Sequence, residues 1–447
     1  MSDLLETLFG TTNAKEFVKL FKEVEETYAG PQQFLNEALD YLPVRLYEHY
    51  YESSVPHGLL GLASAQQVQN LLAETERWRP FAQQSWFITK EKKRTPLDLN
   101  SIGEKSDGSL QERWGKFEQS LHNSFFEEAF GLAKGFINEE KAREFFRQRS
   151  LELALQDTFL GGLKFIYLFQ MWRLAETLEW HNLEKILCPV LHFIVRAPVD
   201  NSLSQKVREH WSKDTLSAMS GNTGKLSSKS YKRLEDALLF GSEPHESLDI
   251  LKRLTAEGIG LKTVQEALVL SASQALSNCE SGAWIWPMRA FHFAYLTSHW
   301  AQDESKEQTY TLMLAAALIN QAAKRSRETE QNRQLDDVAQ RFCPVDPFKV
   351  LRSVISHTDP HASATAVYAI LGMEEEEKDT ELFQILLNQA VKNDGEICSG
   401  NDLLFLSETI DSYKESTLTE RVKLPISASF FLGRVRKQYE FFGAYGF

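Results

Sequence analysis

The sequence predicts an all-α protein, a large multi-helix domain that forms two helical halves around a central pocket. Apolar residues recur at helical spacing along most of the 447 residues, whereas alternating, strand-like stretches are scarce. No regular succession of strand and helix is present, which argues against a parallel α/β sheet. Hydrophobic residues make up 43% of the chain, enough for a sizeable core.

The helices of the first half follow from apolar periodicity and from turn residues. Gly30-Pro31 separates the first predicted pair, 14–28 and 32–51. Another helix is expected to begin at His57, because Pro56 suits a first turn and Ser53 or Ser54 suits an N-cap. Residues 89–112 are polar and rich in turn formers, so they predict a loop. Two further helices are predicted over 114–136 and 139–155, and they are followed by the apolar runs 159–180 and 183–195.

Composition changes over residues 201–230, which end in SAMSGNTGKLSSKS. Such a stretch predicts a flexible connection, with a short helix around 205–211, between an N-terminal half, 1–200, and a C-terminal half, 231–447. One continuous domain is the alternative. The C-terminal half predicts helices over 231–239, 246–257, 261–278, 286–300, 305–326, 347–356, 361–371, 380–391 and 403–412.

The charge and the cysteines limit the partners and the compartment. A net charge of −13 argues against non-specific nucleic-acid binding, which depends on Lys and Arg at phosphates. No apolar run approaches the roughly 20 residues of a membrane helix, and the N-terminus does not resemble a signal peptide. The four cysteines are far apart and form no CxxC motif. We therefore expect free thiols and a cytoplasmic protein that binds neither nucleic acid nor membrane. The sequence does not indicate an oligomeric state.

Several catalytic motifs are absent from the sequence. It contains no GxxxxGK[ST] loop, no GxSxG elbow and no HExxH. None of the eleven histidines has a glutamate three residues before it. Carboxylate-bridged di-iron bundles need that spacing on two helices, so this class is disfavoured.

Three histidines stand near predicted helix starts and are followed by small residues: His57, His292 and His361. Small residues let helices approach closely, which would bring imidazoles together as metal ligands or acid–base groups. A satisfied core histidine is the alternative at each position. His299 lies about 10 Å along the helix from His292, too far to share one ion. The aromatic stretch 284–300 lines a ligand site or belongs to the core.

The order of these motifs resembles the questin oxidase-like family of helical proteins, many from aromatic polyketide pathways. Four stretches over roughly 30–395 carry the resemblance: Pro56-His57 with GLLGLASAQQVQNLL, GGLKFIYLF, His292-Phe293-Ala294-Tyr295, and Asp359-Pro360-His361-Ala362-Ser363-Ala364. Two positions depart from the family, because Lys164 stands where it has histidine and Ala364 where it has lysine.

The resemblance implies an oxygenase or oxidoreductase that acts on a bulky aromatic molecule. It implies non-haem iron with His57, His292 and His361 as ligands, and use of NADPH. Lys164 would then supply a basic group, and Asp359 would orient a ligand imidazole. The alternative is a relative without metal that serves as a helical scaffold for a ligand or a protein.

Overall fold

The computed structural model describes residues 2–46, 57–91, 93–210, 222–280, 282–300, 308–327, 346–357, 359–392 and 401–434. These residues form 21 α-helices and no strand, which confirms the all-α prediction. The first eleven are α1 Ser2–Gly10, α2 Ala14–Thr27, α3 Pro31–Tyr41, α4 His57–Val68, α5 Arg79–Lys90, α6 Leu110–His122, α7 Phe126–Ile137, α8 Glu140–Gln156, α9 Leu163–Thr177, α10 Leu183–Arg196 and α11 Ser202–His210.

The other ten helices follow residue 222. They are α12 Ser228–Phe240, α13 Pro244–Ala256, α14 Leu261–Ser277, α15 Ile285–Trp300, α16 Gln308–Ser326, α17 Pro347–Val354, α18 Pro360–Leu371, α19 Lys378–Ala390, α20 Asn401–Glu415 and α21 Lys423–Arg434. Short 3₁₀ turns connect some of them. Within the described ranges, no helix is both long and apolar enough to cross a bilayer.

Two predicted helices differ from the structure. The helix expected over 32–51 ends at Tyr41, because Pro43 has no N–H to continue it and begins a 3₁₀ turn instead. Residues 47–56, including the proposed caps Ser53 and Ser54, lie outside the described residues. The helix expected over 114–136 is two helices, since Ser124 adopts a left-handed φ of 57° between α6 and α7.

Four helices enclose the middle of the protein. In the order α4, α9, α15, α20, each packs against the next, and α20 returns to α4. We call these four the central bundle. They come from both predicted halves, and one hydrophobic cluster runs from Leu5 to Leu432. The division at 201–230 stays a prediction, because residues 211–221 lie outside the described part of the chain.

The turn before α9 brings that helix close to α15. Gly162 adopts φ +80°, and a Cβ at this position would lie 2.5 Å from a ring carbon of Phe293. Glycine is needed here both for the left-handed backbone and for the close approach. The contact fixes how α9 faces α15 inside the central bundle.

We expect Gly162→Ala to destabilise the fold by about 2–4 kcal/mol, from the sum of left-handed strain and overpacking. Gly258→Ala is a matched control, because Gly258 has φ +81° and no atom within 4 Å of a Cβ built there. It should lose only about 1 kcal/mol. Urea unfolding of both variants measures the difference, and equal losses would show that the Phe293 contact has no effect.

Candidate functional site

The C-terminal pair of predicted site residues lies at the protein surface. His361 is exposed in the first turn of α18, and its ring packs edge-on against Phe430 at 5.2 Å between centroids. Asp359 is the N-cap of the same helix and accepts a hydrogen bond of 3.0 Å from the Ala362 N–H. The prediction that Asp359 orients an imidazole is therefore not supported, since its observed hydrogen bond serves the helix end.

Lys164 is buried in α9 and all of its donors are engaged. Its Nζ lies 2.6 Å from Asp157 Oδ2 and donates to the carbonyls of Ala197, at 3.2 Å, and Pro198, at 2.9 Å. Burial lowers the pKa of Lys164, and Asp157 opposes that shift. Lys164 therefore connects α9 to the segment after α10. This structural role stands in place of the predicted role as a catalytic base.

The predicted metal centre is not assembled. His292 is 1% exposed inside α15, whereas His361 is at the surface. Across the described part of the chain, no group of three or more His, Cys, Asp and Glu side chains is arranged to hold a metal ion. The site expected from His57, His292 and His361 therefore does not fit non-haem iron.

A hydrogen-bonded network occupies the interior of the central bundle. His292 Nδ1 lies 2.6 Å from Glu408 Oε2, and the other carboxylate oxygen accepts from Gln170 Nε2 at 2.9 Å. Gln67 Nε2 donates to Gln170 Oε1 at 3.3 Å, and Ser407 Oγ donates to Gln67 Oε1 at 3.0 Å. We call these five side chains the central network. All four helices of the bundle contribute to it.

One atom of the central network has no partner. His292 Nε2 is buried and makes no hydrogen bond. A carboxylate that accepts from Nδ1–H leaves Nε2 as the basic ring nitrogen. An unpaired buried polar atom costs free energy, and other side chains, Glu91 and Tyr167 among them, have one as well. His292 Nε2 differs from these because the other nitrogen of its ring contacts a carboxylate.

Burial and neighbouring charges set the electrostatics of the pair. Burial raises the pKa of Glu408, while His292 and then Arg173 lower it. The imidazole of His292 is thus one of the groups that oppose the effect of burial on Glu408. Buried groups with opposing electrostatic influences are typical of functional sites, although structural networks show them too.

A second buried cluster lies where α4 begins. Glu91 Oε1 accepts a hydrogen bond of 3.1 Å from the Gly58 N–H, and Glu91 Oε2 has no partner. Burial raises the pKa of Glu91 to about 7. Burial also lowers the pKa of His57 to about 4, and Arg289 adds to that effect. The Tyr167 hydroxyl is likewise buried without a partner, and the pKa of Tyr167 is raised by burial and by Glu91.

Three of the cavities among the described residues are large enough or close enough to the central network to consider. A small cavity of about 50 Å³ lies between α14, α15, α20 and α21, with His299 and Glu415 in its lining. Two open grooves lie elsewhere, one of about 510 Å³ beside Trp180 and one of about 1030 Å³ beside Phe125. The small cavity is the one built on α15 and α20, the helices that hold His292 and Glu408.

Sequence reasoning missed the partners of His292. Gln170 was readable as a polar residue inside the apolar run 159–180, and Glu408 follows the apolar residues 403–406 of α20 after one serine. A polar side chain amid buried residues needs a partner, which was the available signal. The identity of that partner was not available, because Glu408 lies 116 residues from His292 in the chain.

Comparison of the chain with protein-family models, with curated proteins and with solved structures finds no significant match in any of the three. The resemblance to questin oxidase-like proteins therefore stays a prediction from sequence motifs.

Glu91 provides a pH test of the cluster at the start of α4. Its folded pKa of about 7 lies above the usual glutamate value of 4.5, so its stabilising effect is present below pH 4.5 and is lost as the pH rises through 7. We expect Glu91→Gln to make urea unfolding less dependent on pH between 5.5 and 8. Glu23→Gln, at an exposed position on α2, is the control. An unchanged pH slope in Glu91→Gln would contradict the assignment.

Proposed function

We propose that the protein is an oxidoreductase, similar to questin oxidases, that acts on a bulky aromatic molecule and uses His292 and Glu408 for proton transfer. The observation that carries this proposal is the buried imidazole, with one nitrogen on a carboxylate and the other without a partner. That arrangement is the one expected of a general base whose orientation is fixed by an acid.

The proton-transfer step follows from the donor set. His292 Nε2 takes the proton of a phenolic hydroxyl, so an O–H bond breaks, an N–H bond forms and a phenolate remains. Glu408 stabilises the imidazolium, and Gln170 holds the carboxylate in place. A phenolate is richer in electrons than the phenol. Proton removal therefore prepares the ring for the oxidant, which the family resemblance implies to be dioxygen.

Aromatic side chains pack on the helices that carry the pair. The Phe291 ring lies 6.1 Å from the His292 ring and 4.7 Å from the Phe405 ring, and Phe165 packs 5.2 Å from Phe293. Such packing excludes water, which strengthens electrostatic interactions at the base. The aromatic stretch of α15 thus supports the substrate class suggested by the resemblance.

Neither implied cofactor enters this mechanism. The three predicted iron ligands do not converge, so no step involves the metal. NADPH would supply reducing equivalents, but the sequence has no glycine-rich phosphate loop and the central network offers no equivalent cradle. We assign to this chain only substrate orientation, water exclusion and the proton transfer at Nε2.

A binding scaffold without chemistry is the second candidate function. The groove of about 1030 Å³ favours it, because its lining includes Phe125, a large apolar side chain that is 60% exposed. Exposed apolar surface beside an open groove is typical of a ligand or protein contact. The absence of an assembled metal group in the described residues is compatible with this function as well.

The test is turnover of a hydroxyanthraquinone, with 1,8-dihydroxyanthraquinone and NADPH supplied in air. We expect His292→Gln and Glu408→Gln to lower oxygen consumption at least about 100-fold, which is the usual contribution of a general base. His361→Gln is the matched control and should keep the wild-type rate within about twofold, because His361 is at the surface. Circular dichroism checks that each variant is folded.

Two results would contradict the enzyme proposal. One is undiminished turnover in a folded His292→Gln variant. The other is tight binding of the anthraquinone without oxygen consumption by the wild-type protein. The second result, abolished by Phe125→Ala, would support the binding scaffold.

A further inference from the structure

Three acid–base pairs connect α15 and α20 in constant register. His292 pairs with Glu408 at 2.6 Å, and the Tyr295 hydroxyl donates to Asp411 Oδ2 at 3.0 Å. His299 Nε2 lies 3.8 Å from Glu415 Oε2. The first two pairs each join residues 116 positions apart in the chain, and the third keeps the same register. The two helices therefore run parallel here, with one pair per helical turn.

The pairs become progressively more exposed along the helices. The His292 and Glu408 side chains are 2% and 0% exposed, and Tyr295 is 1% exposed. At the far end, the side chain of His299 is 25% exposed and that of Glu415 is 58% exposed. The series thus begins at the buried base and ends at solvent.

The outer pair lines the small cavity between α14, α15, α20 and α21. Hydroxyl groups of Ser298 and Ser412 stand beside His299 and Glu415 in its lining. Its volume of about 50 Å³ holds one or two waters. Solvent therefore reaches the last pair through a polar opening.

Charged groups from the packed helices face the series. From α9, Arg173 lies 5.9 Å from the Tyr295 ring centroid and lowers the pKa of Glu408. From α14, Lys262 and Glu266 line the small cavity. Glu266 Oε2 accepts from the Ser416 hydroxyl at 3.0 Å, and its Oε1 is buried without a partner. The helix α20 itself carries Glu408, Asp411, Lys414 and Glu415.

We propose that the pairs Tyr295–Asp411 and His299–Glu415 form a proton path between His292 and solvent at the small cavity. The inference rests on the proposed function, because a buried general base must return its proton to water in every turnover. A substrate at Nε2 would close that side of the ring, so the proton would leave through Nδ1 and the ordered pairs supply its route.

Each transfer along the path conserves atoms and charge. The imidazolium formed at Nε2 gives its Nδ1 proton to Glu408, and return of the Nε2 proton to Nδ1 restores the base. The path requires a water to carry the proton from Glu408 across one helical turn of about 5 Å to the Tyr295 hydroxyl. Tyr295 gives its own proton to Asp411, and a further water passes it to His299 or Glu415. At every hop one O–H or N–H bond breaks and one forms. The net result is one proton released at the cavity.

The experiment measures proton exchange at His292 without any substrate. In protein with ¹⁵N-labelled histidine rings, the proton between His292 and Glu408 is expected at low field. Saturation transfer from water then gives its exchange rate. We expect Tyr295→Phe to slow this exchange at least tenfold, or to reveal a resonance that rapid exchange hides in the wild-type protein.

Tyr413→Phe is the matched control, because the Tyr413 hydroxyl also donates to a carboxylate, Asp379 Oδ2, at 3.1 Å. It lies on α20 but outside the series, so exchange at His292 should stay unchanged. The proposal is overturned if Tyr295→Phe exchanges at the wild-type rate, or if neither protein shows the resonance. Such a result leaves the turnover test of His292→Gln unaffected, so failure of the path and failure of the enzyme are distinguishable.

Discussion

The hydrogen bond between His292 and Glu408 is the constraint on which the middle of the molecule depends. A carboxylate inside a helical core loses its hydration, at an effective cost of several kcal/mol, unless other groups replace the water. The replacement comes from His292 on one oxygen and Gln170 on the other. Gln170 in turn needs Gln67, and Gln67 needs Ser407. Satisfying one acid therefore fixes the relative position of all four central helices.

Two kinds of buried polar group in this protein differ in whether all their hydrogen-bonding atoms have partners. Lys164 with Asp157, and Lys423 with Glu235, are ion pairs supplemented by further hydrogen bonds. Each ion pair holds neighbouring segments together. In the first pair, every N–H donor of Lys164 is used. His292 keeps one ring nitrogen without a partner, in the middle of an otherwise complete network. Whether all hydrogen-bonding atoms of a buried group are paired, more than burial alone, separates a structural ion pair from a candidate reactive group.

Apolar periodicity predicted most helices, because a helix that packs on a core must repeat its apolar residues every three to four positions. It missed the end of α3, where the local chemistry of Pro43 prevailed over the pattern. For the site, His292 was predicted and does lie in a buried polar network. Lys164 and Asp359 were selected by analogy with motifs, and their short-range partners, Asp157 and Ala362, show local structural roles instead. The pairing of Glu408 with His292 could not be predicted from the sequence, because contact across 116 residues is decided by tertiary packing.

The separation of the central helices along the chain has a consequence for synthesis. Ser407 completes the contacts of Gln67 from 340 residues further along the chain. At the usual rates of translation, α4 waits roughly 20–70 s for α20 to be made. Until then, Gln67, Gln170 and His292 lack the acid and the hydroxyl that satisfy them, and the apolar faces around them stay open. For most of its synthesis, the nascent chain therefore exposes apolar surface that the finished fold buries.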